Sequence, residues 1–215
     1  MIPSVIAVGT DARRRLADLG LAEEPLLDVV RRGFAAAAAC TANHPIQLPG
    51  ILAWGETICA LREYLLPVGW QRADDGLLPL TANGSGTHAI TVATGDEDTG
   101  RVEGSPCTKS KKGPLVQSAV SVNHLQLEMF PMPVALRGSD ATGRMTWLLL
   151  IHRDRSAHEL RAEISQPISV GEDSRVDGWA ERIILTPIPF DEDLSIAPAP
   201  APSGPDVVVE IKRRA

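Results

Sequence analysis

Carboxylates, lysines and a thiol share one glycine-rich stretch of this chain, Gly95 to Gly113. Asp96, Glu97 and Asp98 offer hard oxygen donors of the kind a divalent cation takes. Lys109, Lys111 and Lys112 stand just before Pro114, where the pattern predicts a helix start. Backbone N–H groups and the helix dipole at such a point could hold a phosphate group or a nucleic-acid backbone. Cys107 lies near these lysines, which would lower its thiol pKa. The same stretch also reads simply as a solvated charged loop.

Sharper chemical signatures are weak. Gly104 to Ser110 has part of a phosphate-loop pattern, but the spacing is one residue short and no glycine precedes the lysine. A nucleoside triphosphate site of that kind is therefore excluded. The acidic triplet with Glu163 and a lysine would suit a metal-dependent nuclease or another phosphoester hydrolase. Glu210-Ile211-Lys212 mimics the end of one nuclease motif, but Asp206 is too close in sequence to be its usual partner. His44, His88, His124, His152 and His158 form no His-Glu-x-x-His motif. His152 and His158 flank a turn and could face one another, yet two histidines do not close a zinc site. The reading leans away from an enzyme, assigns no cofactor and no metal, and keeps a purely structural partner of a neighbouring protein as a further alternative.

A different kind of signal is Gln126-Leu127-Glu128-Met129-Phe130. It resembles the Gln-Leu-x-Leu-Phe peptide by which bacterial proteins dock onto the replication sliding clamp, with Met129 as a flexible substitute for leucine. The resemblance implies that Leu127, Met129 and Phe130 are apolar anchors for a groove, oriented by the Gln126 amide. Pro131 and Pro133 follow at once, so no helix runs on through this point. The competing reading makes Val116, Val120, Leu127, Met129 and Phe130 the core face of one amphipathic helix, Leu115 to Phe130. More broadly, Ala93 to Gly100, Lys-Gly-Pro at 112–114 and the Gln-Leu-x-x-Phe that follows resemble uncharacterised proteins of bacterial mobile elements, over roughly residues 40 to 190. That family carries no activity to transfer.

The elements that would position these residues follow from periodicity. A helix is expected from Glu23-Glu24-Pro25 through the alanine run 35–39, its acidic first turn favoured by the dipole. A second runs from Pro49-Gly50 to Leu65, with Ile51, Trp54, Ile58, Leu61 and Leu65 as a buried stripe. Leu77 to Thr81 and His88 to Thr94 read as a hairpin around Asn83-Gly84. Strands are expected over 146–152, 160–170 and 181–188, with Leu160, Ala162 and Ile164 on one face and Arg161, Glu163 and Ser165 on the other. Pro167, Pro187 and Pro189 argue for strand ends or sheet edges. Trp54 and Trp147 fall in core patterns; Trp70 and Trp179 sit at element boundaries and read as part-exposed. The fold class is α+β: a mainly antiparallel sheet with the two N-terminal helices and one inserted helix packed on one face. Residues 1–20 read as an N-terminal arm holding a short strand and a turn of helix, 21–190 as one domain, and 191–215 as a Pro/Ala-rich linker and charged tail.

The 215 residues suffice for one good core. The formal net charge of −6 excludes a whole-protein basic field, though not a local patch. Three separated cysteines, Cys40, Cys59 and Cys107, point to a reducing cytoplasm. No run is apolar for long enough to cross a bilayer, and an apolar start followed by Arg13-Arg14-Arg15 is the wrong order for a secretory leader.

Overall fold

The computed structural model describes residues 4–129 and 143–190. In chain order they form β1 (Val5–Ala7), α1 (Gly9–Asp18), α2 (Glu23–Ala38), α3 (Leu48–Leu65), β2 (Gln71–Arg72), β3 (Thr81–Ala82) and β4 (His88–Thr94). Then follow α4 (Pro114–Met129), β5 (Met145–Asp154), β6 (Glu159–Val170), β7 (Val176–Ile184) and β8 (Ile188–Pro189). The strands make one sheet in the order β1-β7-β6-β5-β4-β3-β2, with β8 also paired to β6.

The α+β reading holds, but two of its details do not. The sheet is mixed: β4 runs parallel to β5 and β1 parallel to β7, while the other pairs are antiparallel. The reason is the connection. A chain that leaves β4, forms α4 and returns beside β4 has made a crossover, and a crossover delivers a parallel strand. Four helices are present among the described residues, not three. The fourth, α1, lies in the segment read as an arm, where Ala12, Leu16 and Leu19 are buried in the main core.

Helices cover both faces of the sheet rather than one. On the first, α1, α2 and α3 bury Leu16, Leu26, Val30, Leu61 and Leu65 against Ile90, Val92, Trp147, Leu149 and Ile164. On the second, Val116 and Val120 of α4 pack on Ala93, Leu148, Leu150 and Trp179. Successive β5 side chains thus alternate between two cores, which is why the strand is apolar without interruption. Of the α3 stripe, Ile58, Leu61 and Leu65 are buried, but Ile51 and Trp54 are 58% and 44% exposed. Trp70 and Trp179 are buried, contrary to their reading at element boundaries.

Pro167 is not at a sheet edge. It lies inside β6, between β5 and β7, where the β6–β7 register shifts. Extending the β5–β6 register places it opposite Thr146, and proline has no N–H to donate. The buried side chain of Asn123 on α4 takes over that pairing. Its Nδ2 donates to the Thr146 and Pro167 carbonyls, both at 2.8 Å, and its Oδ1 accepts the Thr146 N–H at 2.9 Å. Helix α4 is thereby fixed to the middle of the sheet.

Candidate functional site

The 95–113 loop is built onto the α4 face of the sheet. Thr108 donates its N–H to the Val176 carbonyl at 2.9 Å, and its hydroxyl accepts the Val176 N–H at 3.0 Å. Trp179 Nε1 donates to the Pro106 carbonyl at 2.7 Å. Beneath the loop, Glu163 and Arg182 form an ion pair, Nη2 to Oε2 at 2.6 Å, with exposures of 0% and 2%. Arg182 also donates to the Gly104 and Arg101 carbonyls at 2.7 and 3.0 Å. Glu163 accepts the Gly100 N–H at 2.9 Å and the Ser165 hydroxyl at 2.7 Å. A buried pair is stable only when its remaining donors and acceptors are met, and here the loop backbone meets them.

The polar face of β6 is buried: Arg161, Glu163 and Ser165 are all under 5% exposed, and Arg161 and Glu163 bond the loop backbone. Sequence alternation found the face but not its cover. The missed signal is a pair of opposite charges on neighbouring strands, Glu163 and Arg182, each embedded among apolar residues.

The acidic triplet serves the loop itself. Asp96 accepts the Cys107 N–H at 2.9 Å and the Asp98 N–H at 3.2 Å, and Asp98 accepts the Ser105 N–H at 3.1 Å. Glu97 is exposed, and its carbonyl takes a bond from Arg161 at 2.8 Å. Among the described residues no three His, Cys, Asp or Glu side chains come together as metal ligands. Cys107 is not activated: burial, then Asp96, Asp177 and Asp173, push its thiol pKa up rather than down. Lys109 and Lys111 are exposed and Lys112 is half-buried. The Lys109 and Lys112 N–H groups already bond the Thr94 and Ser174 carbonyls. Burial lowers the Lys112 pKa. His158 stacks on Phe190, while His152 Nδ1 meets the Gly95 carbonyl at 3.4 Å.

Gln126 to Met129 of the pentapeptide form the last turn of α4. Asn123 is fully buried, Leu125 is 54% exposed, and Gln126 and Leu127 are half-buried. Leu127 continues the sheet-facing stripe of Val116, Val120 and Asn123 at helical spacing. Gln126 Nε2 donates to the Gly143 carbonyl, while its Oε1 is buried without a partner among the described residues. The side chain of Met129, and Phe130 altogether, lie outside the described residues, as do Asp206, Glu210 and Lys212.

Comparison with protein-family models, curated proteins and solved structures finds no match to this chain. Its chemistry thus rests on the geometry above. Among the described residues no helix is long and apolar enough to cross a membrane.

Proposed function

We propose that this is a non-enzymatic interaction protein that docks on the bacterial replication sliding clamp through Gln126 to Phe130. Its service would be to replication, repair or the maintenance of a mobile element. The reading is supported above all by where the motif begins. Asn123 ties α4 to the sheet by three hydrogen bonds, and the motif starts three residues later. Leu125 is exposed, and Gln126 Nε2 donates to the Gly143 carbonyl, while among the described residues its buried Oε1 has no partner. An unsatisfied buried carbonyl costs about 1–3 kcal/mol, which lowers the work of lifting this turn from the sheet. Opposing the lift is Leu127, half-buried along the helix stripe.

Two or three apolar anchors in a preformed groove give micromolar affinity, about −8 kcal/mol. The test is binding of the full chain to immobilised clamp. Phe130→Ala, alone and with Leu127→Ala, should abolish binding while the single change leaves the melting temperature unchanged. Wild-type protein that fails to bind, or binding that survives the double change, would end this reading.

A further inference from the structure

A cleft of about 230 Å³ lies between α2, α3 and the sheet. Its origin is a run of small residues on two facing helices. At Gly33 the helices touch: a Cβ there would overlap Thr57 Oγ1 and lie 2.8 Å from the Ala53 carbonyl. Beyond this contact Ala37 and Gly50 leave the gap unfilled, and Phe34 and Trp54 also line it. Its polar members are Thr57, Thr94 and Arg153. Thr57 spends its hydroxyl within α3, on the Ala53 carbonyl at 2.6 Å. The Arg153 guanidinium carbon sits 5.0 Å from the Phe34 ring centre and 4.9 Å from that of Phe190. Arg153 is engaged by a further group as well, so the cleft offers no free cation to a ligand from outside. What does reach it is the chain itself. Phe190, the last described residue, is 8% exposed, with its ring 4.8 Å from that of Phe34 and its N–H on the His158 carbonyl at 2.9 Å. The backbone therefore leaves the fold at the wall of an unfilled, mainly apolar cleft, and its next residues are Asp191-Glu192-Asp193-Leu194-Ser195-Ile196.

We propose that this cleft is the seat of the chain's own residues 191–196, with Leu194 and Ile196 filling the space between α2 and α3. Reach, pattern and charge single out this occupant. At about 3.3 Å per extended residue, Leu194 and Ile196 come within ~13 and ~20 Å of Phe190. In extended backbone, residues two apart point the same way, so Leu194 and Ile196 form one apolar edge with Ser195 turned from it. The acidic residues 191–193 come first, on the side where Arg153 places positive charge. Tethering does the rest. A segment joined directly to the wall of its site is presented at roughly millimolar effective concentration, so two modest anchors suffice where a free peptide of the same sequence would not bind.

The experiment is acrylamide quenching of tryptophan fluorescence in the full chain. Trp70, Trp147 and Trp179 are 6%, 0% and 5% exposed, whereas Trp54 on the cleft wall is 44% exposed, so Trp54 carries the quenchable signal. With the segment seated, the wild-type protein should resist quenching. Leu194→Asp/Ile196→Asp should raise quenching and shift the emission to the red, and both changes should vanish when Trp54→Phe is added. Leu194→Ser/Ile196→Ser replaces the acidic pair if that variant does not fold. Val207→Asp/Val208→Asp, further along the same tail, should leave quenching as it is. Unchanged quenching in the Leu194/Ile196 variants, or an equal rise in the Val207/Val208 variant, would overturn the seat. Protection of Trp54 that fades on dilution would overturn the chain's own segment as occupant and give the cleft to a second copy.

Discussion

Replacing Arg182 by leucine should be among the most damaging single changes in this protein. It leaves Glu163 fully buried with only the Gly100 N–H and the Ser165 hydroxyl for company, and it frees the Gly104 and Arg101 carbonyls from their donor. Breaking a buried pair from one side costs about 3–5 kcal/mol. In a protein of this size, about 2–4 °C of melting temperature is lost per kcal/mol, so the midpoint should fall by roughly 10 °C. Glu163→Leu should cost a similar amount, because it strands the cation instead. Joined as Glu163→Leu/Arg182→Leu, the two should lose far less than the sum, with a coupling of at least ~2 kcal/mol in a double-mutant cycle. Urea unfolding of the four proteins reads this directly. Additive losses, or an Arg182→Leu midpoint within about 3 °C of wild type, would refute the buried staple under the loop.

The other expectations concern the helices, the loop and a buried histidine. Ile58→Ala should cost about 2–4 kcal/mol in urea unfolding, whereas Ile51→Ala, on the exposed part of the same stripe, should stay within ~0.5 kcal/mol. Gly100 adopts φ +73, and a Cβ there would sit 2.8 Å from that of Arg161; Gly100→Ala should cost about 1–3 kcal/mol and open the 95–113 loop to limited proteolysis. Burial lowers the His88 pKa, against a smaller raising effect from the Leu19 carbonyl that its Nε2 meets at 3.0 Å. The folded state therefore prefers the neutral ring. The stability it confers is present above the unfolded value near 6.5 and is lost as pH falls through the folded one. His88→Gln should flatten the melting-temperature profile over that acidic range, and an unchanged slope would sink the assignment.

How far the sequence revealed this arrangement depended on whether a signal was local. Helices α2 and α3 were legible because Pro25, the Pro49-Gly50 start and the three- and four-residue spacings are local. Strands β5 and β6 were legible as apolar or alternating runs. The parallel pairing of β4 with β5 was available in principle, since a helix was expected between them, but that consequence follows only once the two strands are known to be neighbours. The burial of Arg161 and Glu163 depended on a loop more than sixty residues earlier in the chain, and no periodicity within β6 encodes that cover. Ile51 and Trp54 misled because helical spacing tells which side chains share a face, not how far along it the neighbouring layer extends. For the candidate site, the glycine-rich loop was found, but the bonds its carboxylates make within the loop were not.

The exchange between Asn123 and Pro167 makes the sheet depend on a residue that is not in it. One rung between β5 and β6 is supplied by a side chain from the covering helix, so α4 is part of the strand ladder as well as a layer above it. Lifting α4 as far as Asn123 would strip three backbone partners from the interior at once, whereas unwinding that begins at Gln126 strips none of them. The boundary between what can be peeled away and what cannot therefore lies in the turn between these residues. The Thr146 amide proton marks it: slow exchange with solvent while a partner holds Gln126 to Phe130 would mean that only the last turn had moved. Restoring the N–H by Pro167→Val would give Thr146 a second donor, make Asn123 redundant and loosen the helix from the sheet it now completes.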